Sequence, residues 1–102
     1  MPMLHTVNKS PFYTYTLESC LDRAREGSAV LLIEDGVYSA MRGTPIERRM
    51  VEAMKKLAIY VLGPDLEARG MTYDRVVSGV KVVDYGGFVD LAAQHNNVQS
   101  WL

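Results

Sequence analysis

The sequence holds one cysteine, Cys20, and two histidines, His5 and His95. One thiol excludes an internal disulfide framework and fits a reducing compartment. With so few soft ligands and no recognised zinc spacing, no metal site is expected. An excess of charge of one sign is also missing: 11 Lys and Arg stand against 12 Asp and Glu, for a formal net charge of -1. The chain therefore lacks the electropositive field of a nucleic-acid binder, and direct contact with nucleic acid is not expected. Long apolar runs are absent too. Continuous runs such as Ala29 to Ile33 are far too short to span a bilayer, so no membrane contact is expected. The opening Met1-Pro2-Met3-Leu4-His5-Thr6 has no basic stretch before an apolar core, which argues against a signal peptide and for a cytoplasmic location.

Two further absences narrow the chemistry. Gly86-Gly87 lacks the GxGxxG spacing and the lysine and hydroxyl of a phosphate loop, so these glycines are expected to allow close packing or a tight turn. No serine sits in a GxSxG elbow, which removes the commonest arrangement for a nucleophilic hydrolase. No cofactor is expected.

What remains is an ordinary balance of 48% hydrophobic and 23% charged residues over 102 positions, enough for a single domain over residues 1–102. Met3–Val7, Ala29–Ile33, Leu57–Leu62 and Val80–Val83 read as strands. The second and third are continuously apolar, the pattern of strands buried on both faces of a parallel sheet. Leu17, Cys20, Leu21 and Ala24 repeat at helical spacing, with Thr16 as the expected cap and Gly27 as the stop. Ile46, Met50, Val51 and Met54 mark a second helix, with Thr44 as its expected cap. A short helix is expected over Asp65–Arg69 between Pro64 and Gly70, and a last one through Tyr85, Phe88, Val89 and Ala92. This alternation predicts a small single-domain α/β fold, a mainly parallel sheet flanked by helices on both faces. Residues 71–79 are expected to form a loop or an edge strand.

Carboxylates gather after three predicted strands, at Glu34-Asp35, Asp65 and Asp84. Open α/β sheets bind ligands at those ends, but Asp65 and Asp84 are read first as helix caps. Such a crevice would in any case repel an incoming thiolate or persulfide. Leu91, His95 and Val98 extend the last helix with a second apolar stripe towards Trp101. That stripe either folds back on its own domain or forms a subunit interface, which Tyr13, Tyr15, Tyr38 and Met41 could enlarge.

Cys20 is the one residue with covalent chemistry to offer. Its helical spacing argues for packing, since free cysteine is among the most buried residue types. The helix dipole and Arg23 favour a thiolate modestly, while Glu18 and Asp22 oppose it.

Several segments resemble the DsrH/TusB family: Met3-Leu4-His5-Thr6-Val7-Asn8-Lys9-Ser10-Pro11-Phe12, Leu31-Leu32-Ile33-Glu34-Asp35-Gly36-Val37, Asp65-Leu66-Glu67-Ala68-Arg69-Gly70-Met71, Asp84-Tyr85-Gly86-Gly87-Phe88-Val89 and His95-Asn96-Asn97-Val98-Gln99-Ser100-Trp101. Each is weak alone; their order and spacing are specific, and the DsrH branch is the nearer in pattern. The resemblance implies a DsrE-like fold and a heterohexamer with DsrE-like and DsrF-like subunits. It also implies sulfur passed between cysteine persulfides to a downstream sulfur-acceptor protein. In the Dsr branch that serves cytoplasmic sulfur oxidation; in the Tus branch it leads to 2-thiouridine at the tRNA wobble position. The principal sulfur carrier of such complexes lies on the DsrE-like partner. Cys20 matches a cysteine of the DsrH branch, which implies a secondary persulfide carrier. The same resemblance admits a structural subunit that only positions its partner.

Overall fold

Four runs of extended, largely β-branched or leucine-rich chain set the frame: β1 (Leu4–Val7), β2 (Ala29–Leu32), β3 (Ala58–Leu62) and β4 (Lys81–Val83). The computed structural model describes residues 3–102, so Met1 and Pro2 of the opening segment lie outside the described residues. A fifth strand, β5 (Val98–Trp101), completes a sheet of order β4-β3-β2-β1-β5 in which every pairing is parallel. The expected α/β class and parallel sheet are present. β2 is buried at every position, as a continuous apolar run requires, and so is β1 despite His5 and Thr6, whereas β3 leaves Ala58 exposed.

Register assigns the faces. Val7, Leu32, Val61 and Trp101 lie in one row, and His5, Val30, Ile59 and Gln99 in another on the same side. Over this side pack α1 (Thr16–Arg23), α2 (Glu47–Ala53) and α3 (Gly63–Ala68), through Leu17, Cys20, Leu21, Met50, Ala53 and Leu66. The opposite side carries Leu4, Ala29 and Leu31, covered by α4 (Tyr85–Gln94) through Leu91, Phe88 and Ala92. Each fully buried Leu or Val contributes roughly 1.5–3 kcal/mol relative to exposure, so the three-helix side holds most of the hydrophobic stabilisation.

Local signals differ from the sequence reading at several ends. Tyr15, not Thr16, takes the N-cap position of α1, and no side chain caps it. The helix stops at Ala24, while Gly27 (φ 89°) serves the following turn in a conformation that favours glycine. Thr44 does not cap α2; its hydroxyl donates to the Met41 carbonyl at 3.4 Å. Asp84 does cap α4, its Oδ1 accepting from the Gly87 N–H at 2.8 Å. Residues 71–79 form a loop with a 3-10 turn at Tyr73–Arg75, tied by an antiparallel bridge between Met41 and Val76.

The largest correction is at the end of the chain. The last helix does not run on towards Trp101. It ends at Gln94, where the His95 Nδ1–H donates to the Leu91 carbonyl at 2.7 Å, and Asn96-Asn97 turns the chain into β5. Asparagine competes with helical hydrogen bonding, so the pair acts as a breaker. Trp101 thus packs against its own domain.

Candidate functional site

Cys20 lies on the inward stripe of α1, with a relative exposure of 0%. Leu17, Leu21, Val30 and Leu32 belong to the same buried cluster. Burial pushes its thiol up to about 12, because the apolar surroundings penalise the thiolate. The opposing effects of Arg23, Glu18 and Asp22 are secondary to that. In this conformation Cys20 is a core residue whose burial keeps its thiol protonated.

The carboxylates at the carboxyl ends of the strands are not assembled as one crevice. Asp65 reaches across from α3 to accept the Glu34 N–H at 2.6 Å, so it pins a neighbouring loop instead of capping its own helix. Arg69 holds Asp35 through Nε and Nη2 at 3.0 and 2.9 Å. These contacts secure Glu34, a non-glycine residue at φ 50°, a backbone strain of about 1 kcal/mol. Asp84 stands apart with its cap and the Tyr73 side, where the Tyr73 hydroxyl donates to Glu67 at 3.1 Å. The group is structural. Among the described residues, no cluster of His, Cys, Asp and Glu could hold a metal ion.

Sequence reasoning missed the pairing of the two chain ends. The Trp101 indole Nε1–H donates to His5 Nδ1 at 3.0 Å, across the β1–β5 register. An indole nitrogen can only donate, so Nδ1 is the acceptor and the proton of the neutral ring sits on Nε2. His5 is 4% exposed, and its Nε2 finds no partner. Only the placement of β5 could reveal this, and that strand was hidden in the apparent helical stripe.

Exposed aromatic surface lies elsewhere. Tyr13 and Tyr15 are 89% and 81% exposed, with Phe12 half-exposed, all on the β1–α1 connection. Tyr85 and Val89 are exposed on the outer side of α4. Tyr38 and Met41 are only partly exposed, and Met41 packs against the core.

A small all-parallel five-stranded sheet, covered by three helices on one side and one on the other, defines the class: a DsrE-like α/β domain. The ychN protein of Escherichia coli shares this fold with a TM-score of 0.82 over 98% of both chains, at 14% identity. The chain belongs to the DsrH-like protein family, which it matches over residues 9–98, and so to the sulfur-relay superfamily of DsrE and TusB. It is 38% identical to Protein TusB of Pectobacterium parmentieri and 35% identical to Protein TusB of an Escherichia coli strain, over 97% of this chain and 100% of each relative. No helix of the described residues is long and apolar enough to cross a membrane.

Proposed function

We propose that this chain is a non-catalytic subunit of a Tus-type sulfur-relay complex, acting in the route to tRNA wobble-uridine 2-thiolation. The persulfide in such a complex is carried by a cysteine of a DsrE-like partner, and this chain holds that partner in place. The observation that carries the reading is the burial of Cys20: a thiol pushed up to about 12 is almost wholly protonated near neutrality and cannot attack a partner persulfide. Its packing explains why a cysteine stands there, so its presence no longer favours the sulfur-oxidation branch. Similarity to proteins named TusB along nearly the whole chain supports the Tus branch.

The test is a reconstituted relay with this chain as Cys20→Ser. Sulfur delivery to the downstream acceptor stays within about twofold of wild type, and mass spectrometry after exposure to a persulfide donor finds no added sulfur on the wild-type chain. A loss of about tenfold or more with assembly intact would make Cys20 a carrier and overturn the proposal.

A further inference from the structure

β5 is an edge strand, and its outer edge is bare. The Leu4 N–H donates to the Asn97 carbonyl at 3.0 Å, so the backbone groups of Asn97 point at β1. By the two-residue period of a strand, those of Gln99 and Trp101 do as well. The N–H and C=O groups of Val98 and Ser100 therefore point away from the sheet, and they have no backbone partner among the described residues. Val98, Gln99 and Ser100 are exposed, as an uncovered edge requires.

Folded chains normally blunt such an edge with a charge, a proline, a bulge or a very short strand. The opposite edge follows that rule: β4 has three residues, begins with Lys81 and has Tyr73 beside it. β5 does not. Residues 96–102 contain no charge and no proline, and the register from Leu4–Val98 to Val7–Trp101 runs without a bulge. Val98 and Leu102, with Ser100 midway between them, are 48% and 82% exposed. Arg23 and Arg25 stand at the amino end of the strand, where they line a cavity with His5, Gln99 and Trp101.

We infer that this edge pairs with the β5 edge of a second copy of the chain, antiparallel about a twofold axis at Ser100, so that two five-stranded sheets become one. Three features select this occupant and this register. An axis at Ser100 makes the outward-facing residues the ones that meet, so each facing pair exchanges two N–H···O bonds. It also sets Val98 of each copy opposite Leu102 of the other, and these exposed aliphatic side chains cover one another on the α4 side of the sheet. An antiparallel approach carries the arginines of the two copies to opposite ends of the joint, whereas a parallel one would set them side by side. Such a contact uses the same patch twice and closes at two copies. It involves neither Cys20 nor the Phe12–Tyr15 connection, and stands whether or not this chain enters a relay complex.

Sedimentation equilibrium of the full chain from about 10 μM to about 1 mM, with amide exchange followed by NMR, tests this. Wild type passes from monomer to dimer. The Val98 and Ser100 amides become protected as it does, while that of Gln99, already turned to β1, is unchanged. Ser100 is exposed, so S100K and S100E keep the dispersed spectrum. Each sets like charges face to face on the axis and weakens the dimer by about tenfold or more, and an equal mixture of the two restores it. Should either variant unfold, the wild-type exchange pattern alone decides. The proposal is overturned if wild type stays monomeric throughout, if protection falls on α4 or the Phe12–Tyr15 connection instead of Val98 and Ser100, if a folded charged variant dimerises as tightly as wild type, or if the mixture of folded variants stays monomeric.

Discussion

His5 shows how much one side chain can hold. Its Nδ1 accepts from Trp101, so charging the ring would place a second N–H against the indole N–H. Burial alone lowers its pKa from the ordinary imidazole value, and Arg23 and Arg25 line the same cavity. The folded chain therefore resists a proton that the unfolded chain takes up at about pH 6.5. Stability is full above that pH and falls as the pH drops from there towards the lower folded-state value. Thermal unfolding of wild type between about pH 7.5 and about pH 5.5 shows this loss, and His5→Gln flattens it. Equal pH dependence in both proteins would exclude His5 as the source. That His5 falls in a strand is legible from the run Met3–Val7. Its partner lay 96 positions away, beyond anything a local pattern contains.

At the scale of the element, the connection after β2 is the tightest joint. The Val7 carbonyl accepts the Ile33 N–H at 3.0 Å, and the Gly36 backbone lies directly on that carbonyl. A Cβ at Gly36 would collide with the Val7 oxygen, and a backbone atom cannot swing away as a flexible side chain can. Gly36→Ala is expected to destabilise the domain by about 2 kcal/mol or more, read by urea denaturation. A loss below about 0.5 kcal/mol would mean that the Glu34–Ala40 turn shifts freely. The central strands were legible because their apolar runs are continuous, and the Asp84 cap because it sits just before a helical stripe. β5 was not legible. In Val98-Gln99-Ser100-Trp101 the alternation is too brief to outweigh a helical stripe already running through Leu91 and His95. Asp65 misled for a related reason: its sequence position suits a cap, but its carboxylate accepts from the Glu34 N–H of another loop.

For the whole molecule, Cys20 and the aromatic residues exchange the roles that a sequence assigns most readily. The reactive group is inside, and several aromatic side chains, Phe12, Tyr13, Tyr15 and Tyr85 among them, are outside. With Trp101 committed to its own domain, Phe12, Tyr13 and Tyr15 form the better candidate anchor, since buried aromatic residues dominate subunit interfaces. Tyr13→Ala/Tyr15→Ala is expected to change the stability of the isolated chain by no more than about 0.5 kcal/mol. In the relay complex proposed above, the same variant should weaken assembly with DsrE-like and DsrF-like subunits by about tenfold or more in calorimetric titration. Undiminished assembly would move the interface to the Tyr85 and Val89 side of α4.

The β1–β5 pairing also sets an order on folding. β1 joins β2 early in the chain, yet its other edge is completed only by residues 98–101. Contacts of such separation form slowly and leave strand edges exposed in the meantime. During synthesis the sheet can assemble from β1 to β4, but His5 remains open until Trp101 has left the ribosome and docked. A nascent chain stalled before that point would present an unpaired edge and an unfinished cavity, a natural substrate for holding chaperones.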